Sequence, residues 1–119
     1  MTFQDAVRIN LVQKYADFQG RAGRAEFWWF TLAIVLASLV GAVIDDLLIG
    51  RGQVFETLVG LGTIVPSLAV GTRRLHDTDR SGWWQLLHLV PVIGVIVLIV
   101  WWATPGNAAP NRFGGEPAP

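Results

Sequence analysis

The sequence predicts an all-α membrane protein: three transmembrane helices in a bundle, an N-terminal amphipathic helix lying in the interface, and a Pro/Gly-rich C-terminal tail. Three observations predict it. Hydrophobic residues fill 52% of the 119 positions and charged residues 15%, where a soluble domain carries about 25% charge. Three apolar runs each approach the length that crosses ~30 Å of hydrocarbon at ~1.5 Å per residue. All six Trp occur as adjacent pairs, Trp28-Trp29, Trp83-Trp84 and Trp101-Trp102. These pairs sit at the edges of the runs, where indole rings anchor spans at the headgroup level. The length suits one domain, 1–119.

Composition also excludes. The net charge of zero argues against a nucleic-acid partner. With no Cys, disulfides, thiolate catalysis and Cys-based zinc sites are ruled out. No cofactor is expected.

In the N-terminal segment, 1–26, Phe3, Val7, Leu11, Tyr15 and Phe18 recur at spacings of four and three, on one helical face. Polar residues such as Gln4, Asp5, Arg8 and Lys14 cover much of the rest. Such a helix either lies in the membrane interface with its apolar face in the acyl boundary, or packs on loops beneath the bundle. Gly20 ends it, and Gly20–Glu26 follows as a basic loop or bend.

Span 1 is expected over 27–50. Phe27 to Ile44 carries no charge and opens on Trp28-Trp29. A retained span fits better than a secretory signal, since a long polar segment precedes it and no clear small-x-small cleavage site follows. Asp45 and Asp46 begin the next connection. Two adjacent carboxylates invite an acid/base or metal role, but a solvated loop at the end of a span is the more economical reading. Span 2 is expected over 54–72, with Pro66 tolerated because neighbours in a membrane bundle satisfy the freed carbonyl. Ala33, Ala37 and Gly41 on span 1, and Thr63, Ser67 and Gly71 on span 2, recur every four residues. Small-residue stripes of this kind let helix backbones approach closely in lipid, so spans 1 and 2 are expected to pair along them.

Residues 73–82 form a polar knot with Arg73, Arg74, His76, Asp77, Asp79 and Arg80. A central Arg or Asp costs about 2.5–3.5 kcal/mol on insertion, against about 0.3–0.6 gained per large apolar residue. The knot is therefore expected outside the hydrocarbon, as a loop, with Ser81 or Gly82 capping the next helix. Span 3 is expected over 83–103, its inner Trp edges about 25 Å apart along a helix. His88 lies one turn inside, where an interfacial or interhelical hydrogen bond suits it better than a mechanistic role. The tail, 104–119, carries only Arg112 and Glu116 as charges and has too little apolar surface to fold alone.

With three spans, seven basic residues (Arg8, Lys14, Arg21, Arg24, Arg73, Arg74 and Arg80) fall on one side, against Arg51 and Arg112 on the other. The positive-inside rule then places the N-terminus and the knot in the cytoplasm and the tail outside.

Three stretches give the chain a family resemblance: Phe18 to Trp28, containing Gly20-Arg21-Ala22-Gly23-Arg24-Ala25-Glu26; Pro66 to Trp84, containing Thr72-Arg73-Arg74-Leu75-His76-Asp77-Thr78-Asp79-Arg80-Ser81-Gly82; and Asn111-Arg112-Phe113-Gly114. On these the chain resembles the domain of unknown function 805 family, YhaH-like small bacterial inner-membrane proteins. Asp79 stands where many members have Gly, and Phe113 where many have Tyr. The resemblance implies a multi-pass protein of the bacterial inner membrane and supplies no activity.

For function, the basic loop and the knot are expected to converge near the start of span 3. Arg21, Arg24, Arg73, Arg74 and Arg80, with Ser81 at the helix start, would then form an anion site for a lipid headgroup or a partner. The other reading makes the same arginines structural, neutralised by Glu26, Asp77 and Asp79 beside His76. The first describes a non-enzymatic binding, scaffold or accessory protein. Its partners would be membrane lipids, anionic ones included, and a second copy or another membrane protein. A small oligomeric transporter or channel subunit is the alternative, although no ionisable residue lies near a midplane. A membrane enzyme or metal site on His76, Asp77 and Asp79 is disfavoured by the crowding arginines.

Overall fold

The computed structural model describes residues 1–50, 52–115 and 117, without the side chain of Ile49. The expectations placed on Arg51 and Glu116 lie outside those residues. Helix α1, Phe3–Arg8, opens with Thr2 and Asp5 capping each other: the Thr2 hydroxyl accepts the Asp5 N–H at 3.2 Å, and the Asp5 carboxylate accepts the Thr2 N–H at 3.3 Å. A wider, π-type turn continues it over Ile9–Gln13. Ala6 and Asn10, one step round from the expected apolar face, are the residues buried. Val12 is 75% exposed, and Leu11, Tyr15 and Phe18 are also turned outward. The segment therefore packs on the bundle through Ala6 and Asn10, with Phe3 edge-on to Trp29 at 5.9 Å, while Leu11, Val12 and Phe18 stay exposed.

Helix α2, Arg24–Ile44, begins three residues before the expected span and runs on through a π-type turn, Asp45–Ile49. Helix α3 spans Val54–Asp77. Two helices are long and apolar enough to cross a membrane, Arg24–Leu48 and Val54–Asp77. Asp45 is not in a solvated loop. It is 3% exposed, and its carboxylate accepts the N–H groups of Phe55 at 2.9 Å and Glu56 at 3.1 Å, capping α3 from the end of α2. Asp46 is exposed, as expected. The two backbones come close here: a β-carbon on Gly41 would lie 3.2 Å from the Glu56 nitrogen. At the other end of α3 the small-residue stripe serves a different neighbour, since the Gly71 carbonyl accepts the Trp102 indole N–H at 3.2 Å.

Pro66 is buried within α3 and leaves the carbonyl four residues back without its helical donor. That carbonyl belongs to Gly62, and the Tyr15 hydroxyl donates to it at 2.7 Å. The N-terminal segment thereby repairs the break that Pro66 makes.

Two expectations for the polar knot need correction. Arg73 to Asp77 are the last five residues of α3, not a loop. Twenty-four residues make a helix of about 36 Å, about one turn longer than ~30 Å of hydrocarbon. Charge can thus leave the apolar layer while the backbone stays helical. The expected span over 83–103 is also not one helix. A 3-10 helix, Gly82–Leu89, opens with the Ser81 hydroxyl accepting the Trp83 N–H at 3.3 Å. It stops before Pro91, and helix α4 follows over Ile93–Ala103. Between them Val90 is extended, as a residue before Pro prefers to be, and Val92 has φ 64°. The chain turns back there: the rings of Trp84 and Trp101 meet edge to face at 5.5 Å instead of standing at opposite ends of a span.

The hairpin returns the tail to the end of the bundle that carries Gly20 and Arg73. The Asn107 N–H donates to the Asp77 carbonyl at 2.8 Å, and Phe113 stacks on His76 with ring centroids 3.8 Å apart and planes 2° off parallel. The tail's described part is docked, not free, and it lies at the same end as the N-terminal loop. Among the described residues two helices, not three, have membrane-crossing length and composition.

A β-branched residue at positive φ costs about 1–2 kcal/mol, whereas Gly inside a straight helix costs about 1 kcal/mol relative to Ala. Val92→Gly is therefore expected to leave the thermal midpoint of the purified protein unchanged or raised. A fall equivalent to about 1 kcal/mol would indicate an uninterrupted helix.

Candidate functional site: a buried arginine cluster

Long cationic side chains almost never become fully buried unless paired, yet Arg73 and Arg74 are 0% exposed and Arg21 is 5% exposed. Each is saturated by acceptors from distant parts of the chain. Arg73, on α3, meets the Glu26 carboxylate at 2.5 Å, the Asn10 side-chain oxygen at 2.7 Å and the Asp17 carbonyl at 3.1 Å. Arg74, one position on, takes the Asp77 carboxylate at 2.6 Å, the Trp102 carbonyl at 2.9 Å and the Ala22 carbonyl at 3.3 Å, and it also donates to the Thr104 carbonyl. Arg21 bonds the other Asp77 oxygen at 2.9 Å and the carbonyls of Asn107, Ala109 and Gly114. Asp77 therefore bridges Arg21 and Arg74, one on each carboxylate oxygen. Among the described residues no buried side-chain nitrogen or oxygen lacks a partner.

The five arginines expected to act together split into two groups. Arg21, Arg73 and Arg74 form this internal network. Arg24 is exposed, makes one long bond of 3.5 Å to the Ala103 carbonyl, and pairs with no carboxylate among the described residues. Arg80 likewise has no such carboxylate; its guanidinium lies 4.6 Å over the Trp101 ring. Arg24 sits in a cleft of about 700 Å³ lined also by Gly23, Trp28, Ala103 and the 105–108 turn. Asp77 borders this cleft with its charge already engaged. Gly106 lies against the Asp77 carboxylate with no room for a β-carbon. The first turn of α2, after Gly23, has no side-chain cap.

His76, Asp77 and Asp79 do not converge. The His76 Nδ1 faces the Gly20 carbonyl at 2.9 Å, and since a carbonyl only accepts, Nδ1 carries the proton. Asp79 is exposed and accepts from Arg112 at 3.1 Å. Among the described residues no group of three carboxylate, His or Cys side chains stands close enough to hold a metal. Asp79 has φ 61°, the left-handed region that Gly adopts freely and Asp tolerates better than most.

The Trp pairs also divide. Trp83 is 79% exposed, and Trp28, Trp29 and Trp84 are partly exposed, as suits interfacial anchors. Trp101 is half-buried under Arg80. Trp102 is not an anchor: it is buried, 4.9 Å from the Phe27 ring, with His88 5.7 Å away. His88 bonds the Gln85 carbonyl of its own turn at 2.8 Å.

The family model for "Protein of unknown function (DUF805)" matches residues 15–115. The chain belongs to the DUF805 family. It is similar to the inner membrane protein YhaI of Escherichia coli K12, with 43% identity over 112 residues covering 92% of each chain. It is also similar to the inner membrane protein YhaH of that strain, with 39% identity over 113 residues covering 92% of this chain and 93% of the relative. An uncharacterised protein of the strain, YiiR, is 38% identical over 87 residues, covering 69% of this chain and 56% of the relative. No solved structure matches. The matched range contains every guanidinium of the buried network and every acceptor named above except Asn10.

Sequence reasoning misses Asn10, Asn107, Asn111 and the backbone acceptors. Asn111 and Phe113 lie in the third family stretch, which was the one available signal: the Asn111 amide donates to the His76 carbonyl at 2.9 Å and its oxygen accepts the Phe113 N–H at 2.9 Å.

Removing one member of a buried charge pair strands the other and costs about 3–5 kcal/mol, whereas an exposed pair contributes about 0–1 kcal/mol. Arg73→Gln or Arg74→Gln is thus expected to unfold the protein in mild detergent or to lower its thermal midpoint sharply. Arg112→Gln, which breaks a bridge whose side chains are 62% and 47% exposed, is expected to leave it nearly unchanged. Equal small effects at Arg74 and Arg112, by circular dichroism melting, would contradict a buried structural network.

Proposed function

We propose that this chain is an integral inner-membrane protein without enzymatic activity, and that its polar end engages anionic phospholipid headgroups. The inner-membrane placement is supported by the names of its YhaI and YhaH relatives and by two helices of membrane-spanning length. The polar end faces the cytoplasm. Once the tail is counted with the N-terminal segment and α3's last turn, Arg112 joins that end, so eight of the nine basic residues lie there by chain position and only Arg51 lies in the opposite connection. The positive-inside bias is then stronger than for three spans.

The headgroup reading rests on one observation: among the described residues Arg24 and Arg80 have no carboxylate partner at the rim, while the three arginines behind them each meet a carboxylate. A rim guanidinium at the membrane surface, beside exposed Trp28, matches a phosphate in charge and in its paired N–H geometry. The buried arginines set the platform; the rim arginines meet the lipid.

Arg24→Gln with Arg80→Gln, in full-length protein passed through vesicles of mixed phosphatidylglycerol and phosphatidylcholine, is expected to lower retained phosphatidylglycerol at least threefold with the melting curve unchanged. Retention equal to the unmodified protein, with the fold intact, would contradict headgroup binding and leave the polar end as a structural clamp.

A further inference from the structure

A second cavity lies deeper, between the helices. It is an elongated groove of about 810 Å³ walled by α2, α3, the 3-10 helix and α4, within the range of about 300–1,000 Å³ usual for ligand sites. Its walls include Ile34, Val35, Ile64, Leu68 and Ile99. Three of the polar side chains among them are engaged with protein acceptors: Thr31 donates to the Phe27 carbonyl at 2.9 Å and Thr63 to the Val59 carbonyl at 2.7 Å, each in its own helix, while the Gln85 amide crosses to α3 and donates to the Leu68 carbonyl at 2.8 Å and the Thr72 hydroxyl at 2.7 Å. What remains facing the space is mainly hydrocarbon.

We propose that this groove holds one acyl chain of an anionic phospholipid drawn from the leaflet at the polar end, its phosphate lying at Arg24. The position of the phosphate rests on the headgroup reading above; the seat for the chain does not. Along α3 the groove runs from Gly60 to Val70, about 15 Å of helix, which is about half of the ~30 Å hydrocarbon layer. It is therefore one leaflet deep, because the C-terminal hairpin that forms its far wall turns back at Val90–Val92. It abuts the polar cleft: Trp28 lines both spaces. An amphiphile with an anionic head and one apolar chain fits that sequence of surroundings, from a guanidinium with no carboxylate partner among the described residues through indole to hydrocarbon. A helix from a second copy fits poorly. A spanning helix would run past the hairpin's apex, where the groove's far wall ends.

The unmodified protein, reconstituted with phosphatidylglycerol or phosphatidylcholine bearing a photoactivatable group midway along one acyl chain, provides the first arm. Adducts mapped by mass spectrometry are expected on Ile34, Ile64 and Ile99. Outward-facing Leu39, Leu61 and Ile96, each more than half exposed, are expected to be labelled several-fold less. Adducts spread evenly over both sets would overturn the groove.

The second arm fills the space. A β-carbon at Gly60 meets nothing within 4 Å, so Gly60→Phe is expected to fold normally and to cut both groove adducts and co-purifying phospholipid at least threefold. Undiminished adducts in a folded Gly60→Phe protein would overturn the chain site, and so would a dimer in the unmodified protein that this substitution abolishes, which would assign the groove to a second copy. Arg24→Gln separates the two readings. It is expected to keep the groove adducts and to remove the preference for phosphatidylglycerol over phosphatidylcholine. Groove adducts formed equally from both lipids by the unmodified protein would overturn the anionic head alone.

Discussion

Three guanidiniums at the end of a membrane-spanning helix impose the constraint from which the rest of this structure follows. Each Arg offers five N–H donors and accepts nothing, and a donor left bare near hydrocarbon costs several kcal/mol. Two carboxylates cannot satisfy three such groups. Glu26 and Asp77 neutralise charge, and backbone carbonyls supply most of the remaining acceptors: Asp17, Ala22, Trp102, Thr104, Asn107, Ala109 and Gly114. Those carbonyls lie on separate segments, of which only those of Ala22 and Trp102 also meet in the apolar core. The network thus gathers the N-terminal loop, the last turn of α3, the end of α4 and the tail into one polar cap.

The C-terminal hairpin is a consequence of the same requirement. Arg74 needs the carbonyls of Trp102 and Thr104, so α4 must end where α3 ends. Pro91 stops the 3-10 helix and the strained Val92 reverses the chain, which lets eleven residues of α4 return. The molecule is then unequal across the bilayer. At the polar end α1, α2, α3 and the hairpin stand together; at the other end α2 and α3 are alone. The groove exists because the hairpin covers only one half of the α2–α3 pair.

Much of this was legible in the residues, and the losses have definite causes. Spans 1 and 2 are readable because a long uncharged run admits few structures in a membrane. The third expectation fails because Trp pairs seventeen positions apart bracket a hairpin as readily as a span; Pro91 was the visible warning, but composition alone does not separate a kink from a reversal. The polar knot is readable as a cluster of charge. It is not readable as helix, since the charge of a side chain does not decide backbone conformation in α3's last turn. Of the arginine cluster the membership was readable and the division was not, because carbonyl acceptors leave no mark on a sequence. Tyr15 illustrates the same limit: only the fold pairs its hydroxyl with the carbonyl that Pro66 releases.

The absence of Cys makes the decisive measurement simple. Single cysteines at Gln19, Gln53 and Ala108, all exposed, can be probed in whole cells with a membrane-impermeant maleimide. A cap closed by Arg21 and Arg74 requires Gln19→Cys and Ala108→Cys to behave alike and opposite to Gln53→Cys; with the proposed cytoplasmic cap the first two are protected while Gln53→Cys is labelled. Labelling of Ala108→Cys alongside Gln53→Cys, with Gln19→Cys protected, would mean that the tail crosses the membrane and that the arginine cap does not form.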